Sequence, residues 1–307
     1  MNDSPSDEKV VRRRTVLEIC FWWAVWNVLD EAKALAGTVC RELLSDENSP
    51  KFIHNDLAFG LFLSSLSRTE FIPPSNWTHK PPDVILPNGT KTYGHEFEVL
   101  RSITGFFAQA PITWDVKKES WPAHATASQV MLASGSSNLA TQDVIGTPER
   151  PNFSPKIGES RIALPYAIGM GTGKLKRLQY GEHIERSRLA ICTSEEKIVA
   201  QAEGRHGHQV DDYLLVTRVP GTRPDIVLTV LAGLHGPGTR SAEMLFSTIR
   251  QRDLDELASW IDYKPEHIPY FQAVFRASRF TKVNGSDVPA HLELVTEGCP
   301  PRRLTVR

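Results

Sequence analysis

The stretch Leu231-Ala232-Gly233-Leu234-His235-Gly236-Pro237-Gly238-Thr239 stands between an apolar run with strand character and a run with helical character. A strand that passes through glycines into a helix brings unpaired backbone N–H groups and the positive helix end to one point, which suits a phosphate or carboxylate. Glycine is needed there because a Cβ would hold the anion away. The pattern expects Gly233, Gly236 and Gly238 to supply close backbone approach, Thr239 to cap a helix over 240–250 or bond the same anion, and His235 to face it. The alternative is a tight turn with a capped helix. The segment is neither a G-x-G-x-x-G fingerprint nor a Walker loop.

A second turn, Gly135-Ser136-Ser137-Asn138, follows a strand expected over 129–133. Two such turns at the carboxyl ends of strands in one sheet would face a common crevice, where open α/β sheets bind ligands. Tyr213 is placed to stack or bond at its rim. Were the crevice catalytic, Asp211, Asp212 and His235 would be its acid–base groups.

Other patterns carry less chemistry. In Gly169-Met170-Gly171-Thr172-Gly173-Lys174 the phosphate-loop spacing fails, because Ile168 stands where glycine is required and Leu175 follows the lysine. A flexible loop over the crevice, with Lys174, Lys176 and Arg177, is expected instead. His206, His208, Asp211 and Asp212 lie within seven residues but lack a third ligand at a known spacing, so the segment reads as a hydrophilic loop and no metal is assigned. No G-x-S-x-G elbow occurs, and the four cysteines, Cys20, Cys40, Cys192 and Cys299, form no C-x-x-C pair. No cofactor is expected.

The elements that must position these groups read as follows. Residues 1–14 are polar and form a disordered lead. Residues 15–70 form a helical region: a long helix over 15–44 with Trp22, Trp23 and Trp26 on its apolar side, and a second near 52–66. Rings of this size bury about 150–250 Å² each, so the tryptophans belong to a core or to a surface for a partner or a second copy. A proline-rich linker spans 71–91, and an α/β domain spans 92–307. Within it, helices are expected over 94–109 and 254–261. Strands are expected over 112–116, 129–133, 161–168, 188–193, 213–218, 225–231, 270–277 and 290–295, with a hairpin at Pro220-Gly221-Thr222-Arg223-Pro224. The expected fold is therefore α/β, a layered, mainly parallel Rossmann-like sheet with antiparallel edge strands, preceded by the helical region.

Composition bounds the partners. Lys plus Arg number 35 against 36 for Asp plus Glu, so no overall field draws in nucleic acid or an anionic membrane. The apolar stretch after Arg12-Arg13-Arg14 is interrupted by Glu18 and Asn27 and is shorter than the roughly 20 residues a membrane span needs. A cytoplasmic protein is expected.

The second half resembles an uncharacterised bacterial family of Rossmann-like sensor or effector-binding domains. The resemblance rests on Asp212-Tyr213-Leu214-Leu215-Val216-Thr217-Arg218, on Leu231 to Ala242 with its Ala232-Gly233-Leu234 and Gly238-Thr239 elements, and on Tyr270-Phe271-Gln272-Ala273-Val274-Phe275. Gly135, Asn138 and Thr141 match a further element. It covers about residues 92–300 and implies a ligand-sensing role without naming an activity. Sequence and resemblance together point to a regulatory protein that binds a small anionic, nucleotide-like molecule. A hydrolase or glycosidase-type enzyme acting on a nucleotide-like substrate, and a purely structural interaction module, are the alternatives.

Overall fold

The computed structural model describes residues 56–63, 68–73, 84–85, 91–92, 94–107, 113–117, 121–172, 185–205, 208–267, 269–283 and 286–307. The expected helix over 15–44, with Trp22, Trp23 and Trp26, lies outside them, as do Lys174, Lys176, Arg177 and His206.

One sheet of eleven strands organises the described residues. In chain order they are β1 (Arg68–Ile72), β2 (Thr113–Val116), β3 (Ser128–Leu132), β4 (Tyr166–Met170), β5 (Glu185–Thr193) and β6 (Ile198–Arg205). They continue with β7 (His208–Pro220), β8 (Val227–Gly233), β9 (Phe271–Ser278), β10 (His291–Leu294) and β11 (Arg302–Arg303). The helices are α1 (Asp56–Phe62), α2 (Gly94–Phe107), α3 (Leu139–Ile145), α4 (Gly236–Arg240) and α5 (Gln251–Trp260).

The spatial order β4-β5-β6-β7-β8-β3-β1-β2 contains only three parallel pairings, β1 with β2, β1 with β3, and β3 with β8. All other pairings are antiparallel, including those of β9 with β7, β10 and β11. The mainly parallel Rossmann-like sheet expected from the sequence is thus corrected to a mixed, largely antiparallel one. The cause lies in the connections. Parallel neighbours need crossovers of a dozen or more residues, and α2 lies between β1 and β2 as such a crossover would require. The β5–β6 link is four residues, and the 220–224 turn folds β8 directly back along β7. β6, which fills the place beside β5, was not among the expected strands.

β1 straddles the boundary drawn at residue 70 and is an interior strand of the sheet, flanked by β2 and β3. Side chains alternate along the strands. On one face Leu214, Val216, Phe271 and Phe275 pack under α1, α2 and α5, with Phe62 of α1 edge-on to Phe246 at 5.9 Å. On the other, Leu215, Val219, Leu228 and Val274 pack with Val144 of α3 and with Ile191 and Ala202 of β5 and β6. Gln272 on β9 ties the far strand back. Its side-chain oxygen accepts the Tyr166 N–H and its amide donates to the Tyr166 carbonyl, both at 2.9 Å, as a paired strand residue would.

β7 is the pivot. One edge pairs with β9 from Asp211 to Arg218. The opposite edge changes partner, from β6 at Arg205, Gly204 and Glu203 to β8 from Leu214 onwards. The sheet therefore forks at Asp212 and Tyr213.

Candidate functional site

The fork places an ionisable residue where two strands part. Asp212 is fully buried. Its Oδ1 accepts the Tyr213 N–H and its Oδ2 the Gly238 N–H, each at 2.8 Å, and the His235 main-chain N–H also favours its charged form. Burial is the largest influence on this carboxyl and raises its pKa, while the His235 ring and the three N–H donors oppose the rise.

The turn after β8 is built around that carboxylate. The Leu234 N–H donates to the Tyr213 carbonyl at 3.0 Å and the Gly233 N–H to Thr239 Oγ1 at 3.1 Å. A Cβ on Gly238 would lie 2.7 Å from the Tyr213 carbonyl oxygen, and one on Gly233 2.0 Å from the Thr239 nitrogen, so glycine is what lets β7 approach. His235 is the N-cap residue of α4 and Pro237 stands in its first turn. The helix expected over 240–250 instead begins at Gly236, runs five residues and passes into a 3₁₀ turn over Ser241–Phe246. Thr239 does not cap it: its hydroxyl oxygen is the acceptor for Gly233. The backbone donors of His235 and Gly238, expected to meet an external anion, meet the chain's own carboxylate.

The His235 ring is partly exposed, and its Nε2 lies 2.8 Å from Ser187 Oγ. Ser187 comes from β5, at the irregularity between Arg186 and Ala190 in its pairing with β6. The serine oxygen accepts the Leu189 N–H at 2.8 Å, and the Ser187 carbonyl accepts Gln201 Nε2 at 2.6 Å. With one lone pair engaged by Leu189, the Ser187 hydroxyl proton is directed at Nε2 when the ring carries its own proton on Nδ1. On the other side α2 brings the His95 ring against Gly236, where a Cβ would stand 2.6 Å from it. Sequence reasoning missed Ser187 and His95. Neither sits in a motif, and only the register of β5 and the packing of α2 bring them to His235 and Gly236.

The second turn lies beside the first. β3 and β8 are parallel neighbours, and the Ala133 N–H donates to the Leu231 carbonyl at 3.1 Å, so both turns sit at the same sheet end. Asn138 is buried and fully engaged. Its Oδ1 caps α3 through the Ala140 and Thr141 N–H groups at 3.0 and 3.3 Å, and its Nδ2 donates to Ile72 and Leu132 carbonyls at 2.8 Å. It thereby bridges β1 and β3. Gly135 abuts the Gly146 carbonyl, Ser136 is exposed and Ser137 partly so.

Asp211 points to the opposite side of β7 from Asp212, as alternation requires. Arg276 grips it bidentately at 2.8 and 3.0 Å. It forms no pair with His235. The neighbouring Tyr213 hydroxyl is pushed up to about 12 by burial first and then by Asp211. The hydrophilic loop expected around residues 204–212 is, in its described part, the end of β6 and the start of β7. Among the described residues no group of three or more His, Cys, Asp or Glu side chains is placed to hold a metal ion. Cys192 and Cys299 are buried thiols whose pKa burial raises, Cys299 to about 11.

The sequence matches no family model and no curated protein. The assignment of function therefore rests on this geometry. Among the described residues, no helix is long and apolar enough to cross a membrane.

Proposed function

We propose that the chain binds a small molecule at the mouth of the fork and acts as a ligand-sensing protein, with His235 as the group that meets the ligand. The observation that carries this reading is the support given to one partly exposed ring. Burying a carboxylate is costly unless it is hydrogen-bonded, and Asp212 is buried with two backbone donors, of which the Gly238 N–H ties down the turn carrying His235. The turn lies at the carboxyl end of β8, beside a second turn at the carboxyl end of its parallel neighbour β3. An anionic, nucleotide-like ligand fits an imidazole donor better than it fits the turn backbone, whose N–H groups at His235 and Gly238 serve Asp212.

The test is thermal unfolding of the full chain against a panel of nucleotides. A ligand at a hundred times its dissociation constant stabilises a fold by about 2.7 kcal/mol, which corresponds to a rise of several degrees at about 2–4 °C per kcal/mol. His235→Ala is expected to abolish the rise, while Ser194→Ala, at an exposed serine in the β5–β6 link, keeps it. A panel without any shift would remove the nucleotide reading.

A further inference from the structure

The same fork holds an arrangement that ligand sensing does not need. From the 2.8 Å contact between Ser187 Oγ and His235 Nε2 we infer that Ser187 is a nucleophile with His235 as its general base, and that the fork hydrolyses a small carboxylic ester. The inference rests on the fork admitting a small molecule, as proposed above.

Three features support it. Ser187 Oγ accepts the Leu189 N–H, and with the His235 ring protonated on Nδ1 the serine hydroxyl donates its proton to Nε2, the arrangement a general base needs. The irregularity in β5 holds the serine out of regular pairing, and Gln201 fixes its carbonyl. The buried Asp212 carboxylate interacts electrostatically with His235 and would stabilise the imidazolium that forms on proton transfer. Asp212 is a positioning residue, because it holds the Gly238 N–H and so sets the turn that carries His235. Ser187 itself is buried and the ring partly exposed, so the acyl donor must be small.

The reaction balances without a redox partner. Ser187 gives its proton to His235 Nε2 as Oγ bonds the ester carbonyl carbon. The bond from that carbon to the alkoxy oxygen then breaks, and the departing oxygen takes the proton from Nε2. Water loses a proton to Nε2 as its oxygen attacks the acyl carbon, and Ser187 Oγ departs with that proton. Ester and water become acid and alcohol.

The experiment uses the full chain with phenylmethylsulfonyl fluoride and with p-nitrophenyl acetate, both small enough for a buried serine. One sulfonyl group is expected on Ser187 by peptide mass mapping. Ester hydrolysis above the buffer rate should vanish in Ser187→Ala, fall at least a hundredfold in His235→Gln and persist in Ser194→Ala. Ser187→Cys should acquire iodoacetamide reactivity that His235→Gln slows, which tests the pair even if Ser187→Ala unfolds. Absence of labelling and hydrolysis in the folded parent, or a sulfonyl group mapped elsewhere, overturns the inference. A nucleotide shift without acylation likewise sinks the esterase and leaves sensing intact. Acylation without a nucleotide shift supports the esterase and removes the nucleotide reading.

Discussion

The Gly238 N–H donates to Asp212 Oδ2 at 2.8 Å, so a carboxylate on one strand serves as the anion of a turn that follows the next. The relationship explains why Gly238 is needed without any external ligand, and it makes Asp212 the keystone of the fork.

Removing that carboxylate should therefore be expensive. Asp212→Ala leaves the Tyr213 and Gly238 N–H groups without this acceptor, and at about 1–3 kcal/mol for each unsatisfied buried group the loss should be at least about 2 kcal/mol. Asp212→Asn retains one acceptor oxygen and should lie between the two. The urea midpoint of each variant measures this. A midpoint for Asp212→Ala close to the parent's would mean that water or backbone rearrangement satisfies the turn.

Gly238→Ala should destabilise by about 1–3 kcal/mol, the range for overpacking. Its Cβ meets the Tyr213 carbonyl at 2.7 Å and the Asp212 carboxyl carbon at 2.9 Å. Gly298→Ala is the useful contrast, since its Cβ would meet nothing within 4 Å and only its φ of +75° is unfavourable. Gly238 has no left-handed φ, so a Gly238→Ala protein as stable as the parent in thermal unfolding would show that the Tyr213 carbonyl and the Asp212 carboxyl move aside for the methyl group.

Asn138 distinguishes capping from strand bridging. Asn138→Asp keeps the acceptor for Ala140 and Thr141 but loses both donations to Ile72 and Leu132, whereas Asn138→Ala loses everything. Loss of the cap alone costs about 0.5–2 kcal/mol. If the bridge matters, both variants should exceed that range, and amide exchange should accelerate in β1 and β3 together. An Asn138→Asp protein as stable as the parent would reduce the residue to a helix cap.

The Cys299 thiol gives a pH signature. Burial raises its pKa from 9.0 to about 11. A group whose folded pKa is raised contributes stability that is complete below pH 9 and is lost as pH climbs through about 11. Unfolding free energy should thus decline across that window, and Cys299→Ala should flatten this part of the decline. A disulfide reagent at pH 8 should find Cys299 unreactive until urea unfolds the chain.

Much of the local structure was legible in the residues. Apolar alternation placed β3, β8, β9 and β10 within a few residues and found residues 213–218 of β7 but not its start at His208, the 220–224 turn specified a hairpin, and helical spacing placed α2 and α5. Those signals are local, since each depends on periodicity or turn chemistry within about fifteen residues. The pair of turns at the ends of β3 and β8 was also readable, because glycines after an apolar run mark a strand end wherever it occurs.

Pairing was not legible in the same way. A strand's periodicity does not say whether its neighbour runs with it or against it, and β6 beside β5 changes the sheet's character without leaving a strong pattern in the sequence. Asp212 reads in the sequence as one of two adjacent acids. Strand alternation turns it away from Asp211, and the partner change along β7 then gives one carboxylate the turn at Gly238 while the other meets Arg276. The sequence by itself determined the local elements and the glycine turns, because short-range sterics and burial patterns act on neighbours in the chain. The tertiary structure alone decided that Ser187 meets His235, because a contact across 48 residues depends on strand register and on the fork, which no local signal records.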